Sequence, residues 1–341
     1  MHRRFLRLVA EFAGIALVFG VAACSSNRPV DDRCGVSSRL IPNCAVIWGI
    51  ATDPNTNARL HAVEEGVGRT FDMVYRFHDI NDRIPSADER ALVRQGRILH
   101  VSIDARVYGA GAATVTWNAV ANGTYDHDLA AQARGIASLH APVFVTFDHE
   151  PDQPGRSARG TPADFVAAWR HVHDVFRRNG ASNVIWVWVV TGYLPTAATA
   201  GSMWPGNRYV DWISWEAYNR SGCAHSRTDP ADFRSFADSM LPFYTWLGAH
   251  AADYGINLNK PMMISEAGSV LYPTDPALTA SWYRAIPDVL AAYPQIRAVG
   301  LWDRPGVGTC DYRFDDAPAV QHAVGQAGER LHRMGSATPR R

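Results

Sequence analysis

PVFVTFDHEPD, residues 142–152, is a short apolar strand that runs into a knot of charge. Val143, Phe144, Val145 and Phe147 are β-formers in one apolar run. Pro142 opens it, where a missing N–H costs little. Asp148, His149, Glu150 and Asp152 then crowd ionisable groups onto the C-terminal end. Packing gives a core strand no reason to finish that way. A strand of a parallel α/β barrel has one, because the sites of that fold lie at the C-terminal ends of its strands.

Seven further strands can be read around this one, at 45–52, 73–80, 98–106, 183–191, 210–219, 261–269 and 296–304. Helical patterns alternate with them at 59–67, 87–95, 126–140, 161–180, 232–254 (broken at Pro242), 276–293 and 317–332. The fourth of these is the best marked: Thr161 can cap it, Pro162 suits its first position, Asp164 suits its first turn and Gly180 stops it. Residues 183–191 (NVIWVWVVT) are apolar on both faces, as in a parallel strand covered on both sides. Residues 109–116 read as a small-residue loop. Eight alternating units over about 290 residues predict a single-domain α/β fold, a (β/α)8 barrel. A doubly wound open sheet is the alternative, but no GxGxxG follows the first strand. Neither a P-loop nor an HExxH motif occurs.

The chain has 341 residues, 47% hydrophobic, and a formal net charge of zero. Charge balance argues against a nucleic-acid partner, and Lys260 is the one lysine among basic residues that are otherwise arginine. Residues 1–7 form a basic leader and 8–23 an apolar run, interrupted by Glu11 and short for a membrane span. The run ends Val21-Ala22-Ala23-Cys24 and resembles a bacterial lipoprotein lipobox, with Cys24 the residue to be acylated; plain signal cleavage near Ala23 is the alternative. Either reading implies export, to the outer face of the membrane through a lipid anchor or into the medium. The expected organisation is signal peptide 1–23, tether and N-terminal loop 24–44, barrel 45–334 and tail 335–341. Cys34, Cys44, Cys223 and Cys310 lack CxxC spacing, so no zinc site is expected. Outside the cytoplasm four cysteines suggest two disulfides, with three possible pairings. Cys34–Cys44 would close a short loop, and Cys223–Cys310 would join the loops after two late strands.

Chemistry concentrates at two glutamates, Glu150 at the end of the fourth strand and Glu266 at the end of the seventh. In a closed barrel these face each other across the mouth. Two carboxylates on a cleft suit retaining glycoside hydrolysis, one protonated to release the leaving oxygen and one ionised to attack the anomeric carbon. Their surroundings must hold their pKa values apart. Arg76 and His78 share one face at the end of the second strand by period two and are candidate substrate contacts. Asp104 ends the third strand. Trp186 and Trp188 read as core, His171 and His173 as surface or packing residues, and Trp204 as a candidate sugar platform in a loop.

The motifs DHE, WEAYN, SEAGS and LWD at the ends of strands four, six, seven and eight resemble glycoside hydrolase family 26, best known for β-mannanases. So do the stretches ADFVAAWRHVHDVFRRNGASNVIWVW and PGNRYVDWISWEAYN, over about Val143 to Asp303. The resemblance implies that Glu150 is the general acid/base, with His149 beside it in the glycone site, and Glu266 the nucleophile. It implies that Tyr218 hydrogen-bonds Glu266 and holds it ionised. Glu216 stands where the family tends to have an acidic residue, and Trp302 would form a platform under the sugar. Departures accompany it. The family usually opens the fourth motif with arginine and follows its glutamate with Met-Asn-Gly and tryptophans. This chain has Phe147 before DHE and Pro151 to Arg156 after it, without an aromatic leaving-group platform there. Asp104 stands where a histidine is expected.

These readings predict a double-displacement hydrolase of a β-linked polysaccharide, most nearly β-1,4-mannan, with its carboxyl groups about 5–5.5 Å apart. β-Xylan or β-glucan as substrate, or a non-catalytic glycan-binding lipoprotein, are the alternatives. A monomer without metal or organic cofactor is expected.

Overall fold

The computed structural model describes residues 35–108, 113–223, 233–272, 274–306, 310–315 and 317–333. Eight parallel strands close into a barrel: β1 (Ile47–Thr52), β2 (Met73–Asp79), β3 (Ile98–Asp104), β4 (Val143–Phe147), β5 (Val184–Val190), β6 (Trp212–Asn219), β7 (Met262–Ser269) and β8 (Ile296–Asp303). Each strand pairs with its sequence neighbours, and β8 pairs with β1. Around them run α1 (Asn57–Val67), α2 (Ala87–Arg94), α3 (Asp126–Ala137), α4 (Pro162–Arg178), α5 (Ala197–Ser202), α6 (Phe236–His250), α7 (Pro276–Ala291) and α8 (Pro318–Arg333).

The strands alternate between two cores. On β5, Ile185, Val187 and Val189 point into the barrel with Met73, Phe144, Trp212 and Met263. Trp186 and Trp188 point outward, Trp186 against Trp169 of α4 at 5.8 Å and Trp188 against Trp204 at 5.1 Å between ring centroids. Both tryptophans are core, as their alternation with valine predicts. Trp204 is buried with them, so its expected role as an open sugar platform does not hold. The α4 start follows its sequence: Thr161 and Asp164 form a reciprocal capping box around Pro162.

Two local expectations are corrected. Helix α6 continues through Pro242. A helix-interior proline costs about 3 kcal/mol, whereas burying an apolar side chain gains about 1.5–3 kcal/mol, and Phe236, Met240, Phe243 and Leu247 are all buried along this helix. Loop 109–116 carries a strand: Ala113–Thr114 pairs antiparallel with Arg106–Val107, followed by a short helix at Trp117–Ala121. The described part of the expected N-terminal loop, from residue 35 on, packs against the barrel. Leu40 is buried among Ile47, Met73 and Ala298 at the N-terminal ends of the strands, and the Trp212 indole donates to the Arg39 carbonyl at 3.0 Å.

Cys223 and Cys310 form a disulfide that ties the loop after β6 to the loop after β8. Cys44 is also disulfide-bonded. Cys24, Cys34, the leader and the 335–341 tail lie outside the described residues, and among those described no helix is long and apolar enough to cross a membrane.

Candidate active site

The end of β4 carries three ionisable side chains in a row, and the backbone sends them to three destinations. Asp148 and Glu150 both adopt φ of 50°, a left-handed conformation that non-glycine residues hold only where the surroundings enforce it. The enforcement is visible. The Asp148 N–H donates to the Ile103 carbonyl at 2.8 Å and the Glu150 N–H to the Val189 carbonyl at 3.1 Å, so the turn is stitched to both neighbouring strands.

Asp148 is fully buried and does not line the cavity at the mouth of the barrel. It accepts from the Ala105 N–H at 3.1 Å, the Trp117 indole at 2.6 Å and the Arg156 guanidinium at 3.2 Å, and it pairs with Arg159. It is the anchor of this turn. Asp152 is likewise buried and structural, accepting from the Thr191 hydroxyl at 2.5 Å and the Thr196 hydroxyl at 2.8 Å.

His149 and Glu150 instead face a cavity of about 560 Å³ at the C-terminal mouth of the barrel. Asp104, Glu216, Tyr218, Glu266 and Trp302 line the same cavity. Seven of the expected site residues, from five different strand ends, therefore converge on one space of a size suited to a small ligand.

Their contacts form two linked sets. His149 Nδ1 lies 2.9 Å from Asp104 and 3.0 Å from the Ser102 hydroxyl. Burial alone would make this histidine less basic, but the Asp104 carboxylate outweighs it and raises the imidazole above its usual range. Burial works against the Asp104 charge as well, yet His149 outweighs it and holds that carboxyl down at about 2. Each charge favours the other, the protonated imidazole and the ionised carboxylate. Asp104 thus stands in the site as the partner of His149.

The second set is carboxylic. Tyr218 donates its hydroxyl to Glu266 at 2.6 Å, while the other Glu266 oxygen is buried with no hydrogen-bond partner in the protein. Burial pushes Glu266 up to about 7, with the like charge of Glu150 adding to it; His149 and the Tyr218 hydroxyl pull it down. Glu216 sits beside Glu266 across the β6–β7 ladder, at a register shift between Trp215 and Glu216. Such an irregularity re-aims a side chain, here into the cavity. Burial first, then Glu150 and Glu266, push Glu216 well above the carboxylate range, and it hydrogen-bonds Glu150. Two carboxyl groups can share that bond only with a proton between them.

Trp302 meets Phe77 edge to face at 5.6 Å, and Phe77 meets His149 at 5.1 Å. Phe77 was not expected here. It exposes the error in the reading of β2: period two does place Arg76 and His78 on one face, but it is the outer one. Tyr75 and Phe77 point into the barrel, Tyr75 stacking on His100 at 3.8 Å. Arg76 is buried and donates to Asn55 at 2.5 Å and Asn57 at 3.0 Å. His78 lies 2.5 Å from Glu89 of α2 and 3.2 Å from Asp82. Both bind helices behind the sheet, and neither lines the cavity, so neither is a substrate contact.

A second cavity, about 380 Å³, adjoins the first. Both are lined by Glu150, Gln153, Glu216, Tyr218 and Arg220; the second adds Tyr193 and Arg234 but not Glu266 or Trp302. Tyr193, from the loop after β5, is 56% exposed. It supplies an aromatic face that the β4 loop lacks. Loop residues such as Tyr193, Arg220 and Tyr312 gave no sequence signal of their own. Among the described residues no group of three or more His, Cys, Asp or Glu side chains is placed to hold a metal ion.

An eight-stranded barrel with carboxyl groups, an ion-paired histidine and an aromatic platform at its C-terminal mouth is the architecture of many sugar-processing enzymes. The comparisons with known proteins agree with it. The catalytic domain of a Bacillus sp. JAMB-750 GH26 endo-β-1,4-mannanase shares the fold, with a TM-score of 0.58 and 16% identity over 84% of this chain and 86% of that one. A β-1,3-xylanase of a Vibrio species is 29% identical over 160 residues, 46% of this chain and 32% of that protein. Endoglucanase H of Acetivibrio thermocellus is 27% identical over 341 residues, 94% of this chain and 33% of that protein. The chain thus spans about a third of the length of these curated relatives. No protein-family model matches the sequence.

Proposed function

We propose that this chain is a retaining hydrolase of a β-linked glycan, with Glu266 as nucleophile and Glu150 as general acid/base. The observation that carries the reading is the convergence of Glu150, Glu266, Tyr218, Trp302 and the His149–Asp104 ion pair on one cavity. The sugar on the glycone side rests against Trp302 with its anomeric carbon at Glu266. A Glu266 oxygen attacks that carbon as the bond to the leaving oxygen breaks, and the Glu150 proton goes to the departing oxygen. A water then gives its proton to Glu150 and its hydroxyl to the anomeric carbon, which frees Glu266. His149, Tyr218 and the sugar's own developing positive charge favour the ionised Glu266 that the first step needs. Glu216, pushed well above the carboxylate range by burial, offers its proton as a hydrogen bond to Glu150.

β-1,4-Mannan is the first substrate proposed, from the motif resemblance and the fold neighbour named a mannanase. β-Xylan is the second, from the relative named a β-1,3-xylanase. The leader motif supports export and lipid anchoring through Cys24. The test is product release from β-mannan, galactomannan, β-1,4- and β-1,3-xylan and mixed β-glucan, beside Glu150→Ala and Glu266→Ala. Hydrolysis of one glycan, lost in both variants, is expected. Glycan binding without hydrolysis, unchanged in both variants, would replace the enzyme with a binding protein.

A further inference from the structure

The smaller cavity has a chemistry that hydrolysis of a neutral glycan does not require. It reaches Glu150 but not Glu266. If Glu150 is the acid, as proposed above, the sugar seated here is the one leaving with the oxygen that Glu150 protonates. Tyr193 offers that sugar an open aromatic face. Among the described residues, the ionisable groups of the wall besides Glu150, Glu216 and the tyrosines are two guanidiniums, Arg220 and Arg234.

Burial opposes the Arg220 charge, and Tyr312, Tyr218, Glu216 and Glu150 together outweigh it without closing an ion pair. Arg220 hydrogen-bonds the neutral Tyr312 and lies over the Tyr218 ring at 5.5 Å. Arg234 is exposed and directly precedes Ser235, the N-cap of α6. A cation there meets the positive end of the helix dipole, the unfavourable end. The adjacent Asp238 is already committed to the capping box with Ser235, at 2.7–3.1 Å. Among the described residues, no ion pair joins either arginine to a carboxylate.

We propose that this cavity is a leaving-group subsite for an acidic sugar, a hexuronic acid whose carboxylate is held by Arg220 and Arg234 and whose C–H face rests on Tyr193. Guanidinium groups hold carboxylates by paired, charge-assisted hydrogen bonds. The opposing wall does not repel such a sugar at the moment of reaction, because Glu150 must carry its proton to the leaving oxygen. The favoured substrate is then a β-glycan with uronic acid residues or a uronate at the cleavage point.

The test reads binding on the Glu266→Gln variant, so that it does not depend on turnover. Methyl β-glycosides of glucuronic, mannuronic and galacturonic acid are titrated by NMR beside the matched methyl glucoside, mannoside and galactoside. At least one uronide is expected to bind about tenfold more tightly than its neutral match, the scale of one charge-assisted contact. The preference should shrink in about 0.5 M salt and vanish when Arg234→Ala is added. Arg234 is exposed, so that change leaves the fold intact; Arg234→Lys should keep part of the preference. No preference for any uronide, or one that survives Arg234→Ala, overturns the inference. Hydrolysis of a neutral glycan without uronide preference would sink this inference alone. A uronide preference with no hydrolysis of acidic or neutral glycans would leave the subsite standing and sink the hydrolase.

Discussion

Tyr218→Phe isolates the electrostatics of Glu266 with the loss of one oxygen atom. The Tyr218 hydroxyl donates to Glu266 at 2.6 Å, and burial already pushes this carboxyl up to about 7. A hydrogen bond to a charged group contributes about 1.5–3 kcal/mol, and one pH unit corresponds to about 1.4 kcal/mol. Removing the bond should therefore raise the Glu266 pKa by about one to two units. The sign follows from the mechanism: a nucleophile must be ionised, so kcat/KM rises with pH through its pKa. The acid limb of the kcat/KM profile should lie near pH 7 in the parent enzyme and move upward in Tyr218→Phe. At pH 6 the variant should lose about tenfold to a hundredfold beyond any pH-independent loss. The assay is kcat/KM from about pH 4 to 9 on the glycan identified by the panel. An acid limb that stays in place or moves downward would refute this account of the site.

Three further outcomes are expected. Glu216→Gln should stabilise the protein at alkaline pH: the folded state holds a proton that the unfolded chain releases above its ordinary carboxyl range, so the parent loses stability as pH rises from about 4.5 upward. The gain in Tm should be near zero at about pH 4 and growing at about pH 8, read by thermal unfolding across pH. Asp148→Ala should cost about 3–5 kcal/mol, because Arg156 and Arg159 are left without the carboxylate that both share, and denaturant titration checks it. Cys223→Ser with Cys310→Ser should cost about 2–5 kcal/mol in the same assay, since the bond closes a loop with a sequence separation of 87.

The barrel was readable from the sequence because every strand carries its own signal. Apolar runs end in Glu150, Glu216, Glu266 and Trp302, and those ends are where the structure gathers the site. The DHE motif marked the place but not the division of labour. Three adjacent ionisable residues have no period that sorts them, and left-handed turns at Asp148 and Glu150 break strand alternation just there. Asp148 thus became an anchor that no pattern announced. Arg76 and His78 failed for a different reason. Alternation says which residues share a face, not which face is inside. Polar groups on a barrel strand are expected at the mouth, yet Asn55, Asn57 and Glu89 provide partners behind the sheet. Tyr193 and Arg234 sit on loops, where the direction of a side chain depends on packing that sequence spacing does not encode.

The central claim is that Glu266 attacks and Glu150 donates the proton. Azide rescue on an activated aryl β-glycoside of the identified sugar tests both roles at once. In Glu150→Ala, azide should intercept the glycosyl-enzyme and give the glycosyl azide with retained configuration. In Glu266→Ala it should take the nucleophile's place and give the inverted azide. The opposite pairing, or the same anomer from both variants, would contradict the assignment.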